Sequence, residues 1–374
     1  WRNGKLTQRW FFDSDSSANR SDTGQGCHNL RVGDVDADGY DEIVYGSCTI
    51  DHNGKGLYNT KLQHGDALHL SDMDPDRTGL EVWQVHEDYK TNGGIVASFR
   101  DAKDGTIIKE YTGSADNGRG MAAPVVSGKR GWQMWSSKTT GLIDISGNTV
   151  SSTRPSSINF GIWWDGDLLR ELEDSIYITK YGGNTLLTAS GCASNNSTKS
   201  TPCLTADIFG DWREELILRN NDNTALYIYT TTAATAYRLY TLMHDPIYRM
   251  SVASENVAYN QPPEPGIYIN YDMTLPEVNP AIQYYDGTVN DICSQSVCRS
   301  RPVNSSVKVM ADRSFVLPVR FNGMSKSISI YDCSGKMIKR AIVKKDAVNL
   351  RKDFGLSNAM YIVKVDAVSE NLIK

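Results

Sequence analysis

The chain has 374 residues, with 39 Lys and Arg against 44 Asp and Glu for a formal net charge of −5; 40% of it is hydrophobic and 22% charged. That length buries a full core and predicts more than one domain, while no apolar run approaches the roughly 18 residues that a membrane helix needs. The charge is segregated: residues 301–374 hold 14 basic and 6 acidic residues, so a basic tail follows an acidic body, which argues against a nucleic-acid partner for the body.

The chain opens at Trp1 with neither Met nor leader, as expected of a mature form or a fragment. The first predicted unit is Gly33-Asp-Val-Asp-Ala-Asp-Gly-Tyr-Asp-Glu-Ile-Val-Tyr45, an acidic loop that runs into a strand. Asp34, Asp36 and Asp38 before Gly39 match the start of an EF-hand loop, yet Tyr45 stands where that loop needs a bidentate Glu and no flanking helices are predicted. Crowded carboxylates repel one another and favour a hard cation. Calcium is therefore expected here, a solvated acidic turn being the alternative. The same form recurs from Ser71 to Trp83, with Asp72, Asp74 and Asp76, where calcium is again expected. It returns from Trp164 to Asp174 and from Ala206 to Leu216, and for these two loops calcium stays open. A degenerate unit lies near Pro124–Trp135. A period near 40 with several short strands per unit is the signature of a β-propeller, here about five blades.

Five of the six histidines (His28, His52, His64, His69 and His86) fall in the first ninety residues. His64 and Asp66 share one face of an extended segment. Together with His28 and the His86-Glu87-Asp88 run, they are candidates for a mixed His and carboxylate set where successive blade ends meet at the propeller axis, ordinary loop histidines being the alternative. Further along, Asp116-Asn-Gly-Arg-Gly120 presents Arg119 on a tight turn, where an ordinary exposed arginine is the alternative. The polar loop Gly191–Cys203 carries one basic residue, Lys199, for which a solvated surface charge is the alternative, and has cysteines at 192 and 203. Cys192 with Cys203 and Cys293 with Cys298 are the expected disulfides, and Cys27 with Cys48 is a weaker third pair, in an oxidising compartment; zinc competes, but no C-x2-C pair is present. Residues 291–306 are the predicted linker between a body of residues 1–290 and a tail of residues 307–374. Alternating runs such as Ser327-Ile-Ser-Ile-Tyr331 mark the tail as a small antiparallel β-domain, sandwich-like.

Several strings resemble a known family: His64-Gly-Asp-Ala-Leu-His69, Asn117-Gly-Arg-Gly-Met121, Asn195-Asn-Ser-Thr-Lys-Ser-Thr-Pro202, Tyr248-Arg-Met-Ser-Val252 and Ala258-Tyr-Asn-Gln-Pro-Pro263. They are similar to those of bacterial rhamnogalacturonan lyases of polysaccharide lyase family eleven, in order over about residues 1–275. The resemblance implies an all-β fold, an eight-bladed, calcium-stabilised β-propeller with a central cleft, whose N-terminal blades would precede Trp1. It implies that His28, His64, Asp66 and Glu87 hold the cleft calcium, and that Lys199 and Arg119 act on the substrate. Asn196, Thr198 and Tyr259 resemble sugar-contacting positions, and the family's Asn-Gly-Thr-Lys run reads Asn196-Ser197-Thr198-Lys199 here.

The implied reaction cuts the rhamnogalacturonan I backbone of pectin by β-elimination at galacturonate, with Ca2+ as cofactor. Lys199 suits the base and Arg119 a bidentate carboxylate clamp, because a guanidinium hardly deprotonates. Rival readings are a glycoside hydrolase, which needs two carboxylates at a set separation, and a non-catalytic, calcium-dependent pectin-binding propeller. The tail is similar to C-terminal sorting domains, which implies export to the medium or the bacterial cell surface; a carbohydrate-binding or spacer domain is the alternative. A monomer is expected.

Overall fold

The computed structural model describes residues 4–257, 259–274, 315–316, 325–331, 336–356 and 362–367. It divides into two compact units, Trp1–Val278 and Asn279–Lys374. The first unit is all-β, with five four-stranded antiparallel sheets following one another along the chain. They comprise Arg31–Gly33, Glu42–Tyr45, Cys48–Ile50 and Gly56–Asn59 (β1–β4); Leu68–Ser71, Glu81–Val85, Ile95–Asp101 and Ile107–Thr112 (β5–β8); Gly120–Ala123, Gln133–Ser136, Leu142–Ile143 and Thr149–Ser151 (β9–β12); Phe160–Ile162, Glu171–Asp174, Tyr177–Thr179 and Thr185–Thr188 (β13–β16); and Cys192–Ala193, Leu204–Ala206, Glu215–Asn220 and Leu226–Tyr229 (β17–β20). The first four are simple meanders, whereas in the fifth β17 and β18 both pair with β19, and β20 pairs with it as well. The number of sheets agrees with the repeat count read from the sequence.

One local device recurs in every sheet. The acids Glu42, Glu81, Glu171 and Glu215 each begin a strand and turn a carboxylate back on the preceding loop. Glu42 accepts from Val35 N at 3.1 Å, and Glu81 from Met73 N and Asp74 N at 2.9 and 3.0 Å. Glu171 accepts from Trp164 N at 2.9 Å, and Glu215 from Ile208 N and Phe209 N at 3.0 Å each. In the degenerate unit Gln133 Oε1 does the same for Val125 N and Val126 N, both at 2.9 Å. The repeated acid thus satisfies buried backbone donors that the short strands leave unpaired. Trp83, Trp132, Trp163 and Trp212 are buried together in one apolar cluster with Phe99 and Tyr248, the largest contribution to the core. A helix, Pro246–Ser254 (α1), follows the fifth sheet; Asp245 caps it, with Pro246 in its first turn.

The second unit contains a two-stranded pair, Phe315–Val316 (β21) with Ala347–Val348 (β24). It also contains a three-stranded antiparallel sheet of Lys326–Tyr331 (β22), Met337–Val343 (β23) and Ile362–Ala367 (β25). Ile328, Ile330, Val348 and Phe354 form its small core. The alternating run at Ser327–Tyr331 is therefore a strand. The predicted linker at 291–306, and Cys293, Cys298 and Cys333, lie outside the described residues.

Two of the expected pairs, Cys192 with Cys203 and Cys27 with Cys48, are a correction, since all four are free thiols. Cys192 Sγ faces the Tyr229 hydroxyl at 3.2 Å, and Cys203 Sγ accepts from Asn195 Nδ2 at 3.3 Å. The loop between them is closed by backbone: Asn195 N donates to Thr201 O at 2.7 Å, and Thr201 N to Asn195 O at 3.1 Å. Burial pushes the Cys27 and Cys48 thiols up to about 12.

Candidate active site

The four acidic loops reach four different ends. In the first, Asp34 and Asp36 come together with Glu42, and Asp38 with Glu42 and His52, each set having one ligand atom per residue within 4.8 Å of the others. Glu42 Oε1 is buried without a hydrogen-bond partner there, an orphan that suits a cation. In the second loop, Arg130 takes the Asp76 carboxylate at 2.7 Å, and burial, with Asp74 beside it, raises Asp72 to about 6. Asp72, Asp74 and Asp76 do not converge as the first loop does. In the third, an ammonium stands among the carboxylates: Lys180 Nζ lies 2.5 Å from Asp165, 2.6 Å from Asp167 and 3.3 Å from Glu171. Burial opposes the charge on Lys180, but Asp165 and Asp167 outweigh it and hold the amine protonated. In the fourth, Asp207 Oδ2 accepts from Trp212 N, Leu242 N and Thr241 Oγ1, so protein donors fill the loop.

A fifth cluster draws on two sheets. His28, His64, Asp66 and Glu87 are brought together, again with one ligand atom each within 4.8 Å of the others. His28 lies just before β1, His64 and Asp66 just before β5, and Glu87 just after β6. His64 Nδ1 is 2.8 Å from Gly26 O, which leaves Nε2 as the free lone pair, 3.5 Å from Glu87 Oε2. His28 Nε2 is 3.5 Å from Asp66 Oδ1, an oxygen that is buried without a hydrogen-bond partner. Burial raises the Asp66 and Glu87 carboxyls, Asp116 adding to both. Two hard oxygens and two imidazole nitrogens around an orphaned oxygen fit a divalent cation.

The basic residues stand beside this cluster. Lys199 ends a 3₁₀ turn, Ser197–Lys199, flanked by Asn196 and Ser200 in the left-handed region. Ser197 itself has φ 51°, a conformation that glycine adopts more freely. The ammonium of Lys199 is 3.8 Å from Asp66 Oδ2 and 4.2 Å from the ring centre of Tyr259. Burial first and Arg119 second lower its pKa, against the pull of Asp66, Asp116 and Glu87. Arg119 is no exposed hairpin arginine, being only 5% exposed. Its Nε donates to Asn159 Oδ1 at 3.1 Å and its Nη2 to Asn260 O at 2.9 Å, while Nη1 has no partner. Burial holds the guanidinium down at about 10.

Asn196 Nδ2 reaches Asn260 Oδ1 at 3.3 Å, so Asn260 joins the Lys199 loop to the Arg119 turn. Tyr259 packs on His28 with ring centres 4.1 Å apart, and Thr198 is exposed on its loop. Glycine is required at Gly65, where a Cβ would lie 2.0 Å from Val85 O, and a Cβ on Gly118 would crowd Asp66 Oδ2 at 3.2 Å. Sequence reasoning missed Asn159, Asn260 and Asp116; Asp116 had a signal in its place in the Arg119 turn and Asn260 in the 258–263 string. A separate cavity of about 450 Å³, lined by Asp72, Arg130, Tyr268 and Asp272 among others, shares no residue with this site.

Residues 1–279 match the family described as rhamnogalacturonan lyase family 11, C-terminal domain. Over 278 residues the chain is 51% identical to the rhamnogalacturonan endolyase YesW of Bacillus subtilis, a match covering 73% of this chain and 44% of that protein. Over 296 residues it is 46% identical to the rhamnogalacturonan exolyase YesX of the same organism, covering 74% and 48%. The crystal structure of the lyase YesW aligns with a TM-score of 0.71, covering 73% of this chain and 47% of that one. The chain thus spans about half the length of the curated relatives it matches. By these matches over nearly all of its first unit, the chain belongs to rhamnogalacturonan lyase family 11.

Proposed function

We propose that the chain is the C-terminal part of an exported rhamnogalacturonan lyase whose sheets are blades of a calcium-binding β-propeller, and that it carries the groups performing β-elimination at galacturonate in rhamnogalacturonan I. The observation that supports this most is the meeting of a lowered-pKa amine, a buried guanidinium with a free N–H edge, and a four-ligand cation site. A calcium ion held by His28, His64, Asp66 and Glu87 would draw negative charge from the galacturonate carboxylate and acidify its C5–H.

The protein's own groups do the rest. Arg119 offers Nη1 to the substrate carboxylate, its other nitrogens being fixed by Asn159 and Asn260. Lys199 takes the C5 proton as the neutral amine, a form that its burial and the nearby guanidinium favour. Arg119 stays charged at neutral pH and so serves as the clamp and not as the base. The electron pair released at C5 then expels the 4-O-linked rhamnose, leaving an unsaturated product. Asn196, Thr198 and Tyr259 line the same edge and suit contact with the sugar.

The test uses the full-length protein on rhamnogalacturonan I. Lys199→Ala abolishes the ultraviolet absorbance of unsaturated products while leaving calcium-dependent thermal stability intact; retained activity overturns the base assignment. Chelation removes activity in the parent, and added calcium restores it. Binding of the polysaccharide with no cleavage under any of these conditions would establish a pectin-binding propeller instead.

A further inference from the structure

His69 lies outside the cation cluster, fully buried on β5, and both of its ring nitrogens are engaged. Nε2 is 2.8 Å from the carbonyl oxygen of Gly120, and Nδ1 is 2.7 Å from Glu264 Oε1. A carbonyl oxygen can only accept, so Nε2 must carry a hydrogen. The other nitrogen is decided by the state of Glu264. Arg31 Nε and Nη2 donate to Glu264 Oε2 at 3.1 and 2.8 Å, and Arg170 Nη1 lies 3.9 Å from Oε1. Burial opposes ionisation of Glu264, but the Arg31 guanidinium, paired to it through two nitrogens, foremost holds the carboxyl below its ordinary value. An ionised carboxylate also only accepts, so Nδ1 carries a hydrogen as well.

We propose that His69 is an imidazolium whose two N–H groups tie the Gly120 carbonyl to the Glu264 carboxylate, making His69 a positioning residue for Arg119. Gly120 is the neighbour of Arg119 in the chain, and its backbone is wedged tightly, since a Cβ there would lie 2.6 Å from Val85 Cγ1 and 3.0 Å from Trp135 O. The guanidinium head is fixed by Asn159 and Asn260, and the base of the same turn is fixed by His69. The charged groups around the ring are Arg31 from β1 and Arg170, just before the fourth sheet's second strand, both facing Glu264, while Arg170 also faces Glu214 at 3.5 Å, whose carboxyl burial raises to about 7. A neutral His69 in this setting would turn a bare lone pair on a carboxylate, a repulsive contact in a buried site.

The link to Arg119 rests on the clamp role proposed for that residue, so two readouts are used. Nitrogen-15 NMR of histidine-labelled wild-type chain at pH 7.5, with His69 assigned through bonds to its backbone, is independent of catalysis. Both ring nitrogens are expected in the protonated range; one nitrogen in the unprotonated range overturns the proposal. In the full-length protein, His69→Gln, which cannot donate at both ends, is expected to raise KM for rhamnogalacturonan about tenfold with a smaller change in kcat. An unchanged KM in a folded variant overturns the positioning role. Should that variant fail to fold, the wild-type spectrum still decides the protonation state. A wild type that releases no unsaturated product refutes the lyase reading and leaves the spectroscopic result standing.

Discussion

Gly65 approaches the carbonyl oxygen of Val85 so closely that a Cβ on it would sit 2.0 Å from that oxygen. The contact holds the segment bearing His64 and Asp66 against the end of β6, where Glu87 follows. His28 N donates to Gly65 O at 3.1 Å and Glu87 N to His64 O at 3.0 Å, so three of the four cluster residues are referenced to one glycine.

Gly65→Ala should therefore force the backbone apart and cost about 2–4 kcal/mol. Thermal unfolding in chelator should show the loss, and calorimetric titration should show weaker calcium binding. A variant with parental stability and parental affinity contradicts the assignment.

Lys180→Gln removes the ammonium from among Asp165, Asp167 and Glu171. Three facing carboxylates are left uncompensated, at a cost of about 1–3 kcal/mol. Calcium should then stabilise the variant beyond its effect on the parent, because the loop regains a cation. Equal calcium responses in the two proteins would count against an ammonium standing in for metal.

Glu173 is buried and takes one hydrogen bond, from Thr205 Oγ1 at 2.8 Å, and burial raises its carboxyl from 4.5 to about 8. The folded state holds a proton there that the unfolded chain has released. Its contribution to stability is thus present in full below about pH 4.5 and is lost as pH rises toward 8. Glu173→Gln should match the parent near pH 4.5 and exceed it by about 1–3 kcal/mol near pH 8. Denaturant melts at the two pH values give the difference, and a gap that shrinks with rising pH reverses the sign.

Free thiols at Cys27, Cys48, Cys192 and Cys203 make the first unit indifferent to reductant. Alkylation of the unfolded, unreduced chain should label all four, and dithiothreitol should leave the melting temperature unchanged. Protection of Cys192 and Cys203 as a pair would restore the disulfide.

The repeat was legible because Glu42, Glu81, Glu171 and Glu215 must each meet loop N–H groups, and that need writes an acid beside every acidic turn. Gln133 escaped notice because an amide oxygen serves as well and leaves no charge in the sequence. Calcium is expected in the second loop and stays open in the third because the cations beside them, Arg130 and Lys180, come from other segments and leave no mark in the loop sequence. His28, His64, Asp66 and Glu87 were legible as a His and carboxylate set in the first ninety residues and through the family resemblance, whereas Asn159 and Asn260 act through amide and carbonyl groups that every loop possesses. The cysteine spacing misled, because the backbone pair Asn195 and Thr201 already closes that loop.

The buried bond from Arg31 to Glu264 spans 233 positions of sequence, and that from Arg119 to Asn260 spans 141. A chain emerging from the ribosome can finish five sheets and still lack the segment that fixes its guanidinium. Such long-range closure is slow compared with hairpin formation. The geometry of the proposed site is therefore complete only once synthesis has passed Glu264.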